Sequence, residues 1–168
     1  MTKFLLSLHV LAAIIAVGPV AVAASMFPRS LRRAHEDSGA VTGLHLLHRV
    51  CRVYAGVGIA VPVFGFATAS NMHVLGSAWL ITAIGLTAVA AGVLALWILP
   101  AQQAALAELG TAEPGTAEPG TSEAPPESQG GPAVRTAARL AAATGIFNLL
   151  WATVTILMIV RPGSTTGA

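Results

Sequence analysis

The sequence predicts an all-α fold, a polytopic membrane protein built as an antiparallel four-helix transmembrane bundle. Three observations predict it. Four apolar stretches, at about residues 4–27, 53–69, 79–99 and 140–160, contain no Asp, Glu, Lys or Arg. Only 10% of the 168 residues are charged, where soluble domains carry roughly 25%. The remaining polar residues gather between the stretches instead of recurring with helical period. A helix crossing the hydrocarbon layer needs about 20 mostly apolar residues. The second stretch is the shortest, and it lengthens to include Val50 and Cys51 if Arg49 and Arg52 snorkel to the interface.

The first stretch, KFLLSLHVLAAIIAVGP and onward, also has a signal-peptide look, with Ala21-Val22-Ala23 as an A-x-A site. Retention is the expected outcome. Cleavage would leave Arg29, Arg32 and Arg33 just outside the membrane, where positive charge resists translocation, and the apolar run continues through Phe27. Arg29–Ala34 is expected to continue this helix after a break at Pro28, and residues 43–52 to begin the second helix before the bilayer. Pro19 and Pro62 each lack a backbone donor and are expected to kink their helices, with Ser or Thr hydroxyls compensating. Trp79 and Trp97 bracket the third stretch and Tyr54 opens the second, as in an aromatic belt. Trp151 falls mid-span and is expected to pack.

Seven of the nine Lys and Arg residues lie between spans one and two or just before span four; Lys3 and Arg161 lie at the opposite ends. The positive-inside rule then makes both of those loops cytoplasmic and both termini extracytoplasmic. The richness in Ala, Gly, Pro and Arg over Lys suggests a high-GC bacterial genome, and with the four spans the expected location is the bacterial cell (inner) membrane. The net charge is only +2 and follows topology instead of forming a binding face, so no nucleic-acid partner is expected. Cys51 is the one cysteine, so no intrachain disulfide forms. Residues 110–132 read GTAEP-GTAEP-GTSEAPPESQGGP, a decaying repeat with nothing larger than Ala to bury. It is expected to be a disordered acidic linker.

Helices in lipid associate through small residues, which let backbones approach. Ala12 and Ala16, Gly56 and Ala60, Gly85, Ala88 and Gly92, and Ala141 and Gly145 recur at three or four residues and are expected to face the bundle interior. A leftover small-residue face would allow homo-oligomerisation or docking of another membrane protein. Membrane lipids are the remaining expected partners.

Few residues can carry chemistry. His9 lies six residues past Lys3, about 9 Å along the helix, on the face of Ala12 and Ala16. An ionisable residue within the membrane is a functional candidate. Equal depth places it near Phe64 or Gly65, Gly85 and Thr155. His73, in the turn on the same side, would join it as a ligand to haem or a metal ion. The competing reading is a neutral imidazole hydrogen-bonded to Thr155 or a backbone carbonyl. His45, His48 and Cys51 recur every three residues as a possible metal set, against an interfacial basic segment facing headgroups. Asn148 is expected to bond across helices. There is no nucleophile–base pair, carboxylate dyad or phosphate loop, so the reading leans away from an enzyme. A dimeric transporter would be expected to show a membrane carboxylate, and the spans have none.

KFLLSLHVLAAIIAVGP, an Arg-rich loop and HRVCRVYAGVGIAVPVFGFATA together resemble the small four-span bacterial integral membrane proteins grouped as a domain of unknown function (DUF2269-like). The resemblance covers the four spans but not the linker. It implies a four-helix membrane protein without assigned activity: an accessory or small-ligand-binding component. The early histidine of span one is also similar to that of copper-resistance and haem-biosynthesis membrane families, which implies a redox role for His9.

Overall fold

A computed structural model describes residues 2–34, 38–111 and 132–162. Among these residues there is no strand, and four helical rods are long and apolar enough to cross a membrane: Lys3–Arg33, Gly39–Met72, Ala78–Thr111 and Val134–Val160. The expected linker falls largely on residues 112–131, outside the described residues; Gly110, Thr111 and Pro132 are helical.

The first rod is α1 (Thr2–Arg33), which runs unbroken through Pro19 and Pro28. The break expected at Pro28 is absent. Pro28 withdraws the donor that Ala24 O would otherwise receive, and Thr144 Oγ1 of the last helix donates to that carbonyl at 3.5 Å. The second rod is α2 (Ser38–Val57) followed by α3 (Ala60–Met72). Pro62 interrupts this rod from the first turn of α3. Its missing donor is replaced by a tightened turn in which Val61 N–H donates to Gly58 O at 3.1 Å and Ile59 N–H to Gly56 O at 3.2 Å. A Cβ on Gly58 would sit 3.1 Å from Ala55 O, so the turn selects glycine.

The third rod is α4 (Ala78–Gly92), a π-helical segment (Val93–Ile98) and α5 (Leu99–Thr111). The widened turn, closed by Leu99 N–H on Leu94 O, lies just before Pro100, whose ring would otherwise meet the carbonyl four residues back. It has a second effect. The buried residues Ala90, Leu94, Ile98, Gln102 and Leu106 are spaced by four, which in a regular helix drifts about 160° over the series; one inserted residue takes back about 100° of it. The stripe therefore stays on the bundle side and the helix continues well past the end expected at Leu99. The fourth rod is α6 (Pro132–Val160).

α1 packs along α2, α3 and α6, while α4 packs along α6 and α5 returns against α2. One core joins Val20, Ala23, Ala24, Cys51, Ala90, Ile98, Ala143 and Phe147. A second, toward the arginine-bearing end, joins Phe27, Leu31, Leu44, Leu106, Ala137 and Leu140. The outer surface is apolar: Ile14, Val63, Phe66, Ile81, Leu96, Leu149 and Ile159 are exposed. Large apolar residues on the outside are what a lipid solvent permits.

The small-residue expectation is corrected by this packing. Ala16 is buried, but Gly56, Gly85, Ala88, Ala141 and Gly145 are exposed. On α6 the buried face is Ala137, Leu140, Thr144 and Phe147, stepping by three and four, with Val154 seven residues on, and its large residues fill against the alanines of α1. Trp79 also departs from the belt reading. It is buried with Ala69, Leu80, Leu157 and Met158, and the Arg161 guanidinium lies 6.0 Å over its ring. Trp97 stays half exposed. Trp151 meets Phe147 edge to face, centroids 6.3 Å apart.

Candidate functional site: His9 on the α1–α3 seam

His9 sits two turns into α1, partly buried against α3. Its Nδ1 lies 2.8 Å from Val61 O. A carbonyl oxygen only accepts, so Nδ1 carries the proton and donates it. In the neutral imidazole this leaves Nε2 with an unshared pair. Orientation of one ring nitrogen by a backbone carbonyl, with the other unpartnered among the described residues, is an arrangement also found around ligating histidines.

Gly65, one turn beyond Val61 on α3, makes the approach possible. A Cβ there would lie 3.0 Å from His9 Cε1 and 3.2 Å from Nδ1. Gly65 is thus the one expected neighbour that the structure places at His9. Gly85 is exposed with nothing within 4 Å of an added Cβ. Thr155 spends its hydroxyl on Trp151 O of its own helix at 2.9 Å. The Asn148–Ser25 contact sets the register of α6 on α1: His9 is about 24 Å from Ser25 along α1, Thr155 only about 10 Å from Asn148 along α6.

His73 is not brought to His9. It caps α3 in the left-handed conformation (φ 55°, ψ 32°), about 12 Å further along the helix axis than Gly65, and is exposed. Its N–H donates to Ser70 O, and Val74 N–H donates to Ala69 O, at 3.2 Å each. This closes the helix in a Schellman-type end. The two histidines thus stand about two helical turns apart along the seam.

The His45, His48 and Cys51 set is likewise divided. His45 is exposed, while Cys51 is buried in the core. His48 Nδ1 lies 3.1 Å from Gln102 Oε1, and Gln102 Nε2 donates to Cys51 Sγ at 3.8 Å. Among the described residues no three His, Cys, Asp or Glu side chains gather to hold a metal ion. Gln102 itself is fully buried. Its position after Pro100, outside the apolar run, gave no signal of burial in the sequence.

Asn148 donates from Nδ2 to Ser25 Oγ at 3.3 Å, while Ser25 donates to Ala21 O at 2.6 Å. Asn148 Oδ1 and Trp151 Nε1 are buried with no partner among the described residues.

No family model matches this chain, and no curated protein or solved structure is similar enough to match it.

Proposed function

We propose that this protein is a four-span component of the bacterial cell membrane that binds a small ligand through His9. Seven arginines at one end set the orientation, with that end cytoplasmic and both termini outside. The observation that supports the ligand reading is the Nδ1–H bond of His9 to Val61 O at 2.8 Å. It fixes the tautomer and leaves Nε2 as a Lewis base inside the apolar span. The ligand class that takes such a nitrogen is a metal centre with an open coordination position, haem iron or a single copper or zinc ion. With His73 remote, His9 acts as a sole protein ligand, which suits binding of a metallo-ligand better than a closed structural metal site.

A second reading rests on the same bond, which also clamps α1 to α3: an accessory protein in which His9 is structural. An absorbance spectrum separates the two. Protein purified in detergent from its native host, and the same protein titrated with hemin, copper or zinc, should show a Soret band or stoichiometric metal. His9→Ala should abolish it while helicity is retained. A colourless, metal-free preparation that takes up none of these ligands, with His9→Ala lowering only the melting temperature, overturns the ligand reading.

A further inference from the structure

The arginine-bearing end of α2 carries a second site, independent of His9. His45, His48, Arg49, Arg52 and Val53 line an open cleft of about 560 Å³. They recur at i, i+3, i+4, i+7 and i+8, the spacing of one helix face. The core-facing side of α2 holds Leu44, Leu47 and Cys51; Arg49 and Arg52 look away from the bundle, and half-buried His48 lies at its edge. Among the described residues no carboxylate lines the cleft, and Arg49 and Arg52 are exposed along it.

One wall is held from behind. Gln102 is 0% exposed, and burying an amide is costly unless it is hydrogen-bonded. Both of its contacts go to α2: Oε1 to His48 Nδ1 and Nε2 to Cys51 Sγ. As an acceptor, Oε1 keeps the His48 proton on Nδ1 and fixes the ring. Nε2 is the ring atom left to serve the cleft, and when protonated it donates to an anion. Two guanidiniums and a tethered imidazole on one face are suited to phosphate, which arginine recognises in bidentate fashion.

The face does not end at the arginines. Val53 and Val57 follow one and two turns beyond Arg49, winding about 40° per turn along α2; both are exposed and apolar. A cationic head above an apolar strip matches a phosphate joined to an acyl chain. A free phosphate would use the head alone. We infer that this face of α2 binds the phosphate of an anionic phospholipid, with the acyl chain laid along Val53 and Val57.

The test is native mass spectrometry of the full chain in neutral detergent, titrated separately with phosphatidylglycerol, phosphatidylcholine and inorganic phosphate. Phosphatidylglycerol should bind tightest. An arginine near an anionic surface contributes about fivefold, so R49Q/R52Q should weaken that binding roughly 25-fold. R49K/R52K, which keeps the charge, should stay within about fivefold, and K3Q at the opposite end should change nothing. Phosphatidylcholine binding equally well, or R49Q/R52Q binding like the native chain, overturns the proposal. Displacement of phosphatidylglycerol by inorganic phosphate at comparable concentration assigns the cleft to free phosphate and overturns the lipid assignment.

Discussion

Single atoms decide what His9 is available to do. The imidazole is committed at Nδ1 only because α3 presents a bare backbone at Gly65. Alanine there would place a methyl 3.0 Å from the ring, so the ring must give by a few tenths of an ångström, which lengthens its bond to Val61 O. Gly65→Ala is therefore expected to cost about 1 kcal/mol of stability, the scale of one hydrogen bond between helices in a membrane, and to mix the His9 tautomers. Nitrogen NMR of the imidazole should show a single Nδ1-protonated form in the native chain and both forms in the variant. Gly85→Ala, added into open space, should change neither. An unchanged tautomer in Gly65→Ala would remove the role given to this glycine. His9 and Gly65 were legible before the structure because depth in a membrane helix can be counted from its ends. Gln102 was not, because only its contact with α2 buries it. His73 stands apart on the same axis of counting: α3 carries it out to a helix cap, about two turns beyond Gly65.

Within each helix, the prolines show how lost backbone bonds are made good. Three devices appear: a tightened turn before Pro62, a widened one before Pro100 and a hydroxyl from a neighbour at Pro28. The last is open to a double-mutant cycle. Thr144→Val removes the donor to Ala24 O, and the long 3.5 Å contact places its cost near 0.6 kcal/mol, the average for such bonds in a membrane protein. Pro28→Ala restores a backbone N–H to the same carbonyl. In that background Thr144→Val should cost almost nothing when unfolding is followed in detergent. Equal costs in both backgrounds would mean that Thr144 does not serve the carbonyl. The sequence located these prolines, but not which device each would use, since that depends on what packs alongside. The small-residue stripes were ambiguous for a related reason. Ala141 with Gly145 and Ala137 with Leu140 and Thr144 are equally regular on α6. The alanine-rich face of α1 is what selects the stripe with the larger side chains.

Taken as a whole, the molecule is longer than the membrane it spans. The second and third rods have 34 residues each, about 51 Å of helix, while the hydrocarbon core is about 30 Å thick. The excess lies at the arginine-bearing end, where Phe27, Leu31, Leu44, Leu106 and Leu140 form their own core beneath exposed Arg29, Arg32, Arg33, Arg135 and Arg139. The four spans were legible from the apolar runs alone. The projection of the first two helices was legible too, in Arg29–Ala34 and residues 43–52; that of the third was not, because residues 99–111 are too polar for a span and too short to announce a packed helix. The proposed orientation rests on the same charges, and it is tested by cysteine labelling in a Cys51→Ser background. Gly76, in the exposed turn between α3 and α4, should react with a membrane-impermeant maleimide in intact cells once changed to cysteine. Thr111→Cys should react only after the cells are permeabilised. Thr111 lies about 18 Å beyond Leu99 along α5, clear of the bilayer, so an absent signal in intact cells reports sidedness and not burial in lipid. The reverse pattern would turn the whole bundle over and place the phosphate cleft of α2 on the outer leaflet.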